Sequence, residues 1–297
     1  MTLLVATFVS NPQTPALTPA LIARGAQALG LEGQTHWLDK DVAADLIFES
    51  TLAPRALADA LRGTLEPYPI DVVVQPVDGR RKKLFLADMD STMIGQECID
   101  ELADFVGLKE QVSFITERAM RGELSFEPAL RERVALLKGL DVKVIATILA
   151  ERITYTPGGH ELVHTMRAHG AYTALVSGGF TLFTGPVSQA IGFHEHRSNE
   201  LILTDGVLAG LVAEPILGKE AKLASLKELA RINQLLPLET MAVGDGANDL
   251  AMLQAAGLGV AFHAKPAVAE AAAARIDHAD LTALLYAQGY NRREFVA

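Results

Sequence analysis

The sequence predicts an α/β protein whose main sheet is parallel. From about residue 156 onward, apolar segments of strand length alternate with amphipathic helices, a pattern typical of parallel sheets with helical crossovers. Upstream, the apolar segment Lys83–Ala87 ends in two carboxylates, Asp88 and Asp90. Open parallel sheets carry their functional groups just beyond the carboxyl ends of their strands. Because residues i and i+2 of an extended chain point the same way, both carboxylates can face one crevice.

Length and composition indicate a globular chain of about two domains, since 49% of the 297 residues are hydrophobic and 21% are charged. The formal net charge of -10 argues against a nucleic-acid partner, because phosphate backbones are bound by clustered Lys and Arg. The first nine residues have no basic start and are too short to span a bilayer, so we expect no signal peptide and no membrane partner. A single cysteine, Cys98, excludes an internal disulfide and fits a cytoplasmic location.

Residues 1–79 predict a separate small domain with the element order β-α-β-β-α-β. Its strand-like segments are 3–9, 34–38, 43–49 and 70–74, and Thr18 and Pro19 open the first helix. That order fits a ferredoxin-like sandwich and resembles ACT-like domains, which bind amino acids or pair subunits. The segment carries no catalytic constellation, so amino-acid binding, a homodimer formed through this domain, and packing without a ligand all stay open.

The run Val77–Lys83 is basic, and we interpret it as a solvated linker that separates residues 1–79 from a second domain, residues 80–297. Directly after the aspartate pair, helical patterns cover residues 95–106, 110–120, 126–137 and 142–152. Helices placed after a catalytic strand end suggest a cap, about residues 92–156, that excludes water and supplies specificity contacts.

Two further predicted strands, 172–176 and 240–243, also end in polar or glycine-rich segments. The residues concerned are Ser177, Gly178, Asp245, Asn248 and Asp249. Glycine lets backbone N–H groups approach an anion, and a helix that follows offers its positive end. Crowded carboxylates call for a cation such as Mg²⁺, and Lys222 supplies a compact positive charge of the kind phosphoryl transfer uses. The alternatives are an Asp-rich turn that caps a helix and a solvated surface lysine.

These segments resemble the four ordered motifs of the haloacid dehalogenase superfamily phosphatases. The motifs are Asp88–Thr92, Ser177–Phe180, Lys222 and Gly244–Leu250. The resemblance covers about residues 80 to 290 and implies a Rossmann-like parallel-sheet core with a helical-bundle cap inserted after the first catalytic strand. It is strongest to the members that hydrolyse phosphoserine, whose cap this chain matches at Glu97, Glu117–Met120, Ser125–Phe126 and Arg131–Val134.

The resemblance implies a role for each carboxylate. Asp88 would be the nucleophile that forms an aspartyl-phosphate, and Asp90 the general acid and then the general base. A carboxylate oxygen of Asp88, the backbone carbonyl of Asp90 and the carboxylate of Asp245 would bind Mg²⁺. Asp249 would orient a water of that ion or the side chain of Lys222.

The resemblance also implies the substrate contacts. Ser177, the N–H of Gly178, Lys222 and Asn248 would bind or orient the phosphate, with Lys219 the alternative to Lys222. Glu97 would take the ammonium group of phosphoserine and Arg133 its carboxylate, while Met120 and Phe126 would form apolar walls. From spacing alone, an ordinary ion pair on a helix surface is the favoured interpretation of Glu97 and Arg133.

The function implied is Mg²⁺-dependent hydrolysis of O-phospho-L-serine, a small phosphomonoester, to L-serine and phosphate, the last step of serine biosynthesis. One alternative is another phosphatase or phosphotransferase of the same superfamily, which would pass the phosphoryl group to water or to an acceptor alcohol. The alternative from a different class is a non-catalytic amino-acid sensor.

Overall fold

A computed structural model of the chain describes residues 1–121 and 123–296, with the side chain of Met120 outside that description. Its first part is a four-stranded antiparallel sheet with two helices. The elements are β1 (Thr2–Val9), α1 (Pro19–Ala28), β2 (Gly33–Asp39), β3 (Ala43–Ser50), α2 (Pro54–Leu65) and β4 (Asp71–Pro76). The strands lie in the order β2-β3-β1-β4. The predicted order of elements in this segment is confirmed.

The sheet of the first part packs on both faces. One face buries Phe8 against Leu61 of α2, and α1 begins as its sequence indicates, with the Thr18 hydroxyl accepting a hydrogen bond from a backbone N–H of the first turn. The other face contributes Val9 and Val73 to the hydrophobic core of the remaining chain. The two parts therefore share a continuous apolar interface.

The second part is built on a six-stranded parallel sheet. Its elements are β5 (Leu84–Ala87), α3 (Cys98–Asp104), α4 (Lys109–Met120), α5 (Phe126–Leu136), α6 (Val144–Glu151), α7 (Gly159–Ala168), β6 (Tyr172–Phe180), α8 (Thr181–Ile191), β7 (Glu195–Asn199), β8 (Leu201–Thr204), β9 (Val207–Val212), α9 (Lys219–Ile232), β10 (Thr240–Gly244), α10 (Leu250–Ala255), β11 (Leu258–Phe262), α11 (Pro266–Ala271), β12 (Ala274–Ile276) and α12 (Ala283–Ala287).

The parallel strands lie in the order β12-β11-β10-β5-β6-β7. Apolar β5 therefore sits between β10 and β6, and all of its residues are buried, which confirms the predicted parallel sheet. Two details differ from prediction. Strand β6 continues through the glycine pair to Phe180, with a register shift against β7 after Val176. Strand β12 was not predicted, because three residues are too few to show a pattern.

Four helices lie between β5 and α7, as the helical patterns predicted. The first begins at Cys98, later than expected, because Met89–Met93 form a single wide turn and Ile94 makes a bridge to Tyr155. Strands β8 and β9 form an antiparallel hairpin. Asp205 and Gly206 have φ of 51° and 82°, the left-handed backbone that a tight hairpin turn requires.

The interface between the two parts contains a buried ion pair. Arg80 donates from Nη1 to Asp45 Oδ2 at 2.8 Å and from Nη2 to Asp45 Oδ1 at 3.1 Å. The same guanidinium donates to the backbone carbonyls of Tyr286 and Ala287, each at 3.2 Å. Arg80 thus links β3 to α12, so the two parts are joined by directed hydrogen bonds as well as by apolar contact.

The basic run that we interpreted as a solvated linker is partly buried, because Lys82 is only 7% exposed. Its ammonium donates to the backbone carbonyls of Gly79 and Leu238, each at 2.8 Å. The position of a domain boundary near residue 79 stays a prediction. Within residues 1–121 and 123–296, the structure contains no helix with the length and apolar character that crossing a bilayer requires.

Replacing Arg80 by Ala is expected to lower the free energy of unfolding by about 3–5 kcal/mol, because Asp45 is left buried without its counter-charge. Urea unfolding followed by circular dichroism measures the loss. The matched control is Lys83→Ala, since Lys83 is 63% exposed and pairs only with Glu239; its cost is expected to be about 1 kcal/mol or less. Equal losses in both variants would contradict the interface described here.

Candidate active site

The three predicted strand ends meet at one edge of the parallel sheet. Asp88 directly follows β5, Asp245 directly follows β10, and Ser177 lies near the end of β6. Because β10, β5 and β6 are neighbours, their carboxyl ends lie side by side. A cavity of about 510 Å³ opens there, lined by Asp88, Ser177 and residues of α4 and α5. The site therefore lies between the sheet edge and the inserted helices.

A cluster of acidic groups forms the base of the site. Carboxylate oxygens of Asp88, Asp245 and Asp249 all lie within 4.8 Å of one another, and all three residues are buried. The ammonium of Lys222 lies 2.7 Å from Asp88 Oδ2 and 2.6 Å from Asp249 Oδ1. Lys219, by contrast, is 59% exposed and faces Glu220. Of the two lysines considered, the structure brings Lys222 to the carboxylates.

The negative charges of this cluster outnumber the positive ones: Lys222 pairs with Asp88 and Asp249, and the charge of Lys265 also acts on Asp245. Burial, followed by the charge of Asp249, raises the pKa of Asp88 well above its usual range and raises the pKa of Asp245 to about 7. Burial alone would lower the pKa of Lys222, but Asp249 and Asp88 raise it above its ordinary value. Hard carboxylate oxygens with surplus negative charge fit a divalent cation.

Asp249 has partners that account for its position. Its Oδ1 accepts from Lys222, and its Oδ2 accepts from the N–H of Gly246 at 3.1 Å. Asn248 is different: its buried Oδ1 has no hydrogen-bond partner among residues 1–121 and 123–296, and the residue lines the cavity. A buried acceptor without a partner is costly, so Asn248 has the character of a ligand-binding group.

The carboxylate of Asp90 has its hydrogen-bond donors outside the acidic cluster. It accepts from the N–H of Cys98 at 2.9 Å and from the hydroxyl of Ser177 at 3.1 Å. Burial raises the pKa of Asp90, although these two donors lower it in part. Asp90 therefore stands at the boundary between the acidic cluster and the end of β6.

The end of β6 is shaped by close contacts that only glycine permits. A Cβ on Gly178 would lie 2.7 Å from Cζ of Phe126, and a Cβ on Gly179 would lie 2.9 Å from Oδ2 of Asp90. The N–H of Gly179 donates to the Ser177 hydroxyl at 2.8 Å. The helix α8 starts immediately afterwards, so its positive end faces this region.

Asn199 is a structural element of the site that sequence reasoning missed. Its side-chain amide donates to the carbonyls of Gly178 at 2.8 Å and Leu217 at 3.1 Å, and its oxygen accepts from the N–H of Leu217 at 2.6 Å. It thereby joins the end of β6 to the segment before α9. Its position as the last residue of the polar strand β7 is the available sequence signal.

The inserted helices contribute the opposite wall. Glu97 and Arg133 both line the cavity, and Arg133 is 5% exposed. The alternative of a surface ion pair is therefore wrong: Arg133 is buried, and among the described residues no ion pair joins the two. Glu97 accepts from the hydroxyl of Ser91 at 2.6 Å, and burial, followed by Asp90, raises its pKa well above the usual range.

Phe126 contacts both neighbouring loops of the sheet edge. Its ring lies close to Gly178, as described above. It also lies close to Gly218, since a Cβ added at Gly218 would be 3.2 Å from Cδ1 of Phe126. The helix α5, which begins at Phe126, is in this way seated against the strand ends. The predicted role of Met120 falls on a side chain outside the described part of the structure.

Replacing Lys222 by Met is expected to lower the free energy of unfolding by about 3–5 kcal/mol in the presence of a chelator, because Asp88 and Asp249 lose their buried counter-charge. The matched control, Lys219→Met, is expected to change it by about 0.5 kcal/mol or less, as is usual for an exposed side chain. Chemical denaturation provides both values. Similar values for the two variants would show that Lys222 does not neutralise the acidic cluster.

Comparison with known proteins agrees with this geometry. Residues 85–254 match the family model of haloacid dehalogenase-like hydrolases. The chain is 42% identical to a phosphoserine phosphatase of Archaeoglobus fulgidus over 226 residues, which are 75% of this chain and 65% of that relative, just under two thirds. It is 37% identical to a phosphoserine phosphatase of Streptomyces coelicolor over 294 residues, 98% of this chain and 72% of that relative.

A solved structure is similar as well. It is a phospho-aspartyl intermediate analogue of phosphoserine phosphatase, 41% identical in sequence, with a TM-score of 0.66. The superposition covers 69% of this chain and 98% of that chain.

Proposed function

This chain belongs to the haloacid dehalogenase-like hydrolase family, and we propose that it is a phosphoserine phosphatase that hydrolyses O-phospho-L-serine to L-serine and phosphate. The observation that carries the proposal is one cavity bordered by three kinds of group. Asp88 and Asp90 lie at its base, the glycine-rich end of β6 lies beside them, and Glu97 and Arg133 lie opposite. These groups complement a phosphate, an ammonium and a carboxylate, the three charged groups of phosphoserine.

Asp88 is the proposed nucleophile. Its Oδ2 faces Lys222 at 2.7 Å and its Oδ1 accepts from the N–H of Met89 at 2.8 Å, so the carboxylate is held in one orientation at the strand end. A carboxylate oxygen attacks phosphorus, the bond from phosphorus to the serine oxygen breaks, and an aspartyl-phosphate forms. The solved intermediate analogue of a relative supports this step.

Asp90 is the proposed general acid and base. Its position beside Ser177, at 3.1 Å, places it next to the proposed phosphate site. It donates a proton to the departing serine oxygen, which leaves as a hydroxyl. It then takes a proton from water, whose oxygen attacks phosphorus and releases the carboxylate of Asp88. The first step leaves Asp90 deprotonated, as the second step requires, and the second step protonates it again for the next cycle.

The acidic cluster is the proposed site for Mg²⁺. Asp88 and Asp245, with the backbone carbonyl of Asp90, would hold the ion, while Asp249 stays engaged with Lys222 and Gly246 and orients its surroundings. When bound, Mg²⁺ supplies charge neutralisation for the phosphoryl oxygens and the attacking carboxylate. The observation that supports a cation here is the unbalanced charge of the buried carboxylates.

Phosphate binding is assigned to Ser177, the N–H of Gly178, Lys222 and Asn248. The hydroxyl of Ser177 donates to Asp90 and accepts from the N–H of Gly179. Asn248 lines the cavity, and its side-chain N–H groups would donate to a phosphate oxygen. The Lys222 ammonium neutralises part of the phosphate charge as a compact cation. Glycine at position 178 leaves room for the anion and for the ring of Phe126.

Substrate selection is assigned to the inserted helices. Glu97 binds the substrate ammonium, and Arg133 binds the substrate carboxylate with the planar geometry that suits carboxylates. Phe126, together with the proposed contribution of Met120, makes the remaining wall apolar. In this role residues 92–156 act as a helical cap that shields the aspartyl-phosphate from stray water.

The remaining assignments concern the whole chain. We assign residues 1–79 to an ACT-like domain and residues 80–297 to the phosphatase domain, with a cytoplasmic location and a place at the last step of serine biosynthesis. One sheet face of residues 1–79 is covered by the rest of the chain. A homodimer formed through this domain would therefore use its helices or the free edge strand β2.

Asp88→Asn should lower the rate of phosphate release from O-phospho-L-serine by about a thousandfold or more, because an amide is not a nucleophile. Colorimetric phosphate release measures the rate, and mass spectrometry after acid quenching detects a phosphoryl group on Asp88 of the unmodified chain only. Asp78→Asn, at an exposed residue, is the control and should keep the full rate. Retention of a tenth of the rate by Asp88→Asn would disprove the nucleophile assignment.

A further inference from the structure

A chain of hydrogen bonds connects three of the inserted helices at the cavity wall, where Thr116 and Arg133 both line the cavity. Arg133 of α5 donates from Nη1 to the hydroxyl of Thr116 in α4 at 2.9 Å. The Thr116 hydroxyl lies 2.8 Å from Oδ1 of Asp100 in α3, and Ser113 donates to Oδ2 of the same carboxylate at 2.7 Å. None of the motifs identified from the sequence includes Thr116, Asp100 or Ser113.

The direction of this chain follows from its donors. A guanidinium only donates, so it occupies a lone pair of the Thr116 oxygen. The single hydroxyl proton can then go to Asp100 or to the backbone carbonyl of Val112, 3.0 Å away. An ionised carboxylate is the stronger acceptor, so the hydroxyl donates to Asp100. Positive charge on Arg133 and negative charge on Asp100 are thereby connected through one buried hydroxyl.

The hydrogen bonds described above leave part of the Arg133 guanidinium free to face the cavity. Its Nε donates to the carbonyl of Ala129 at 3.0 Å and its Nη1 to Thr116, so two bonds fix the plane of the group. Among residues 1–121 and 123–296, no side chain or carbonyl accepts a hydrogen bond from Nη2. Arg133 lines the cavity, and a long side chain without such anchors has several orientations of similar energy.

We propose that Thr116 and Asp100 are positioning residues that hold Arg133 in the orientation that binds a substrate carboxylate. This inference rests on the proposed function and deepens it. It attributes the selection of substrates that carry a carboxylate to the hydrogen bonds that join Arg133, Thr116 and Asp100. Thr116 is 4% exposed and Arg133 5% exposed. In such a dry setting a directed hydrogen bond fixes geometry more firmly than it would in water.

The test compares two substrates that differ only in the carboxylate. O-phospho-L-serine carries phosphate, ammonium and carboxylate, whereas O-phosphoethanolamine lacks the carboxylate. Thr116→Val removes the hydroxyl and keeps the shape of the side chain. It should lower kcat/KM for phosphoserine about tenfold, mainly through KM, and should change kcat/KM for phosphoethanolamine less than about twofold.

Two matched variants separate positioning from a general effect on structure. Thr116→Ser restores the hydroxyl and should stay within about twofold of the unmodified chain on both substrates. Ser113→Ala removes a hydroxyl that lies on the same helix and donates to the same carboxylate, Asp100, but that does not connect to Arg133. Its kcat/KM should also stay within about twofold of the unmodified chain on both substrates. In an Arg133→Ala background, Thr116→Val should have no further effect on phosphoserine, since residues that act through one another are non-additive.

Equal losses on both substrates, or no loss on either, would overturn the inference. Failure of the proposed function is a separate outcome, seen when the unmodified chain hydrolyses p-nitrophenyl phosphate but not phosphoserine. In that case phosphoserine is used as a competitive inhibitor of p-nitrophenyl phosphate turnover. If Thr116→Val weakens this inhibition about tenfold, the positioning role is supported. The inference is overturned if Thr116→Val leaves the inhibition unchanged, or if phosphoserine does not inhibit the unmodified protein.

Discussion

The site depends on an imbalance of charge. Three buried carboxylates, those of Asp88, Asp245 and Asp249, lie together, and the ammonium of Lys222 pairs with two of them, Asp88 and Asp249. Burial of like charges at this distance is expensive, so the cluster favours a cation. Under the proposed function, a divalent cation would supply that positive charge and would also offset the negative charge of the substrate phosphate. Burial, followed by the charge of Asp249, raises the pKa of Asp88 and of Asp245.

The fold places these charges through the position of one short strand. Because β5 lies between β10 and β6, the carboxylate that follows it has Asp245 on one side and Ser177 on the other. The inserted helices leave the chain directly after this strand end, so Glu97 and Arg133 can reach the same cavity. Under the proposed function, the central sheet contributes the reactive groups of this site and the inserted helices contribute the groups that recognise the substrate.

The convergence of the strand-end residues was largely predictable from the sequence, whereas the contacts made by the inserted helices were less so. Asp88, Ser177 and Asp245 follow apolar strands, and a buried parallel strand is conspicuous in a sequence. Asn199 and Thr116 were missed because each acts through hydrogen bonds between segments distant in the chain, and no local periodicity reports such contacts. The burial of Lys82, within a run of charges, likewise depends on carbonyls contributed by tertiary structure.

The most direct test of the account is phosphate release by the purified protein from several phosphomonoesters. The substrates are O-phospho-L-serine, O-phospho-L-threonine, O-phospho-L-tyrosine and a sugar phosphate, each assayed with Mg²⁺ and with a chelator. The account predicts turnover that requires Mg²⁺ and strongly favours phosphoserine. Turnover that persists in the chelator, or the absence of any turnover of phosphoserine with Mg²⁺ present, would contradict it.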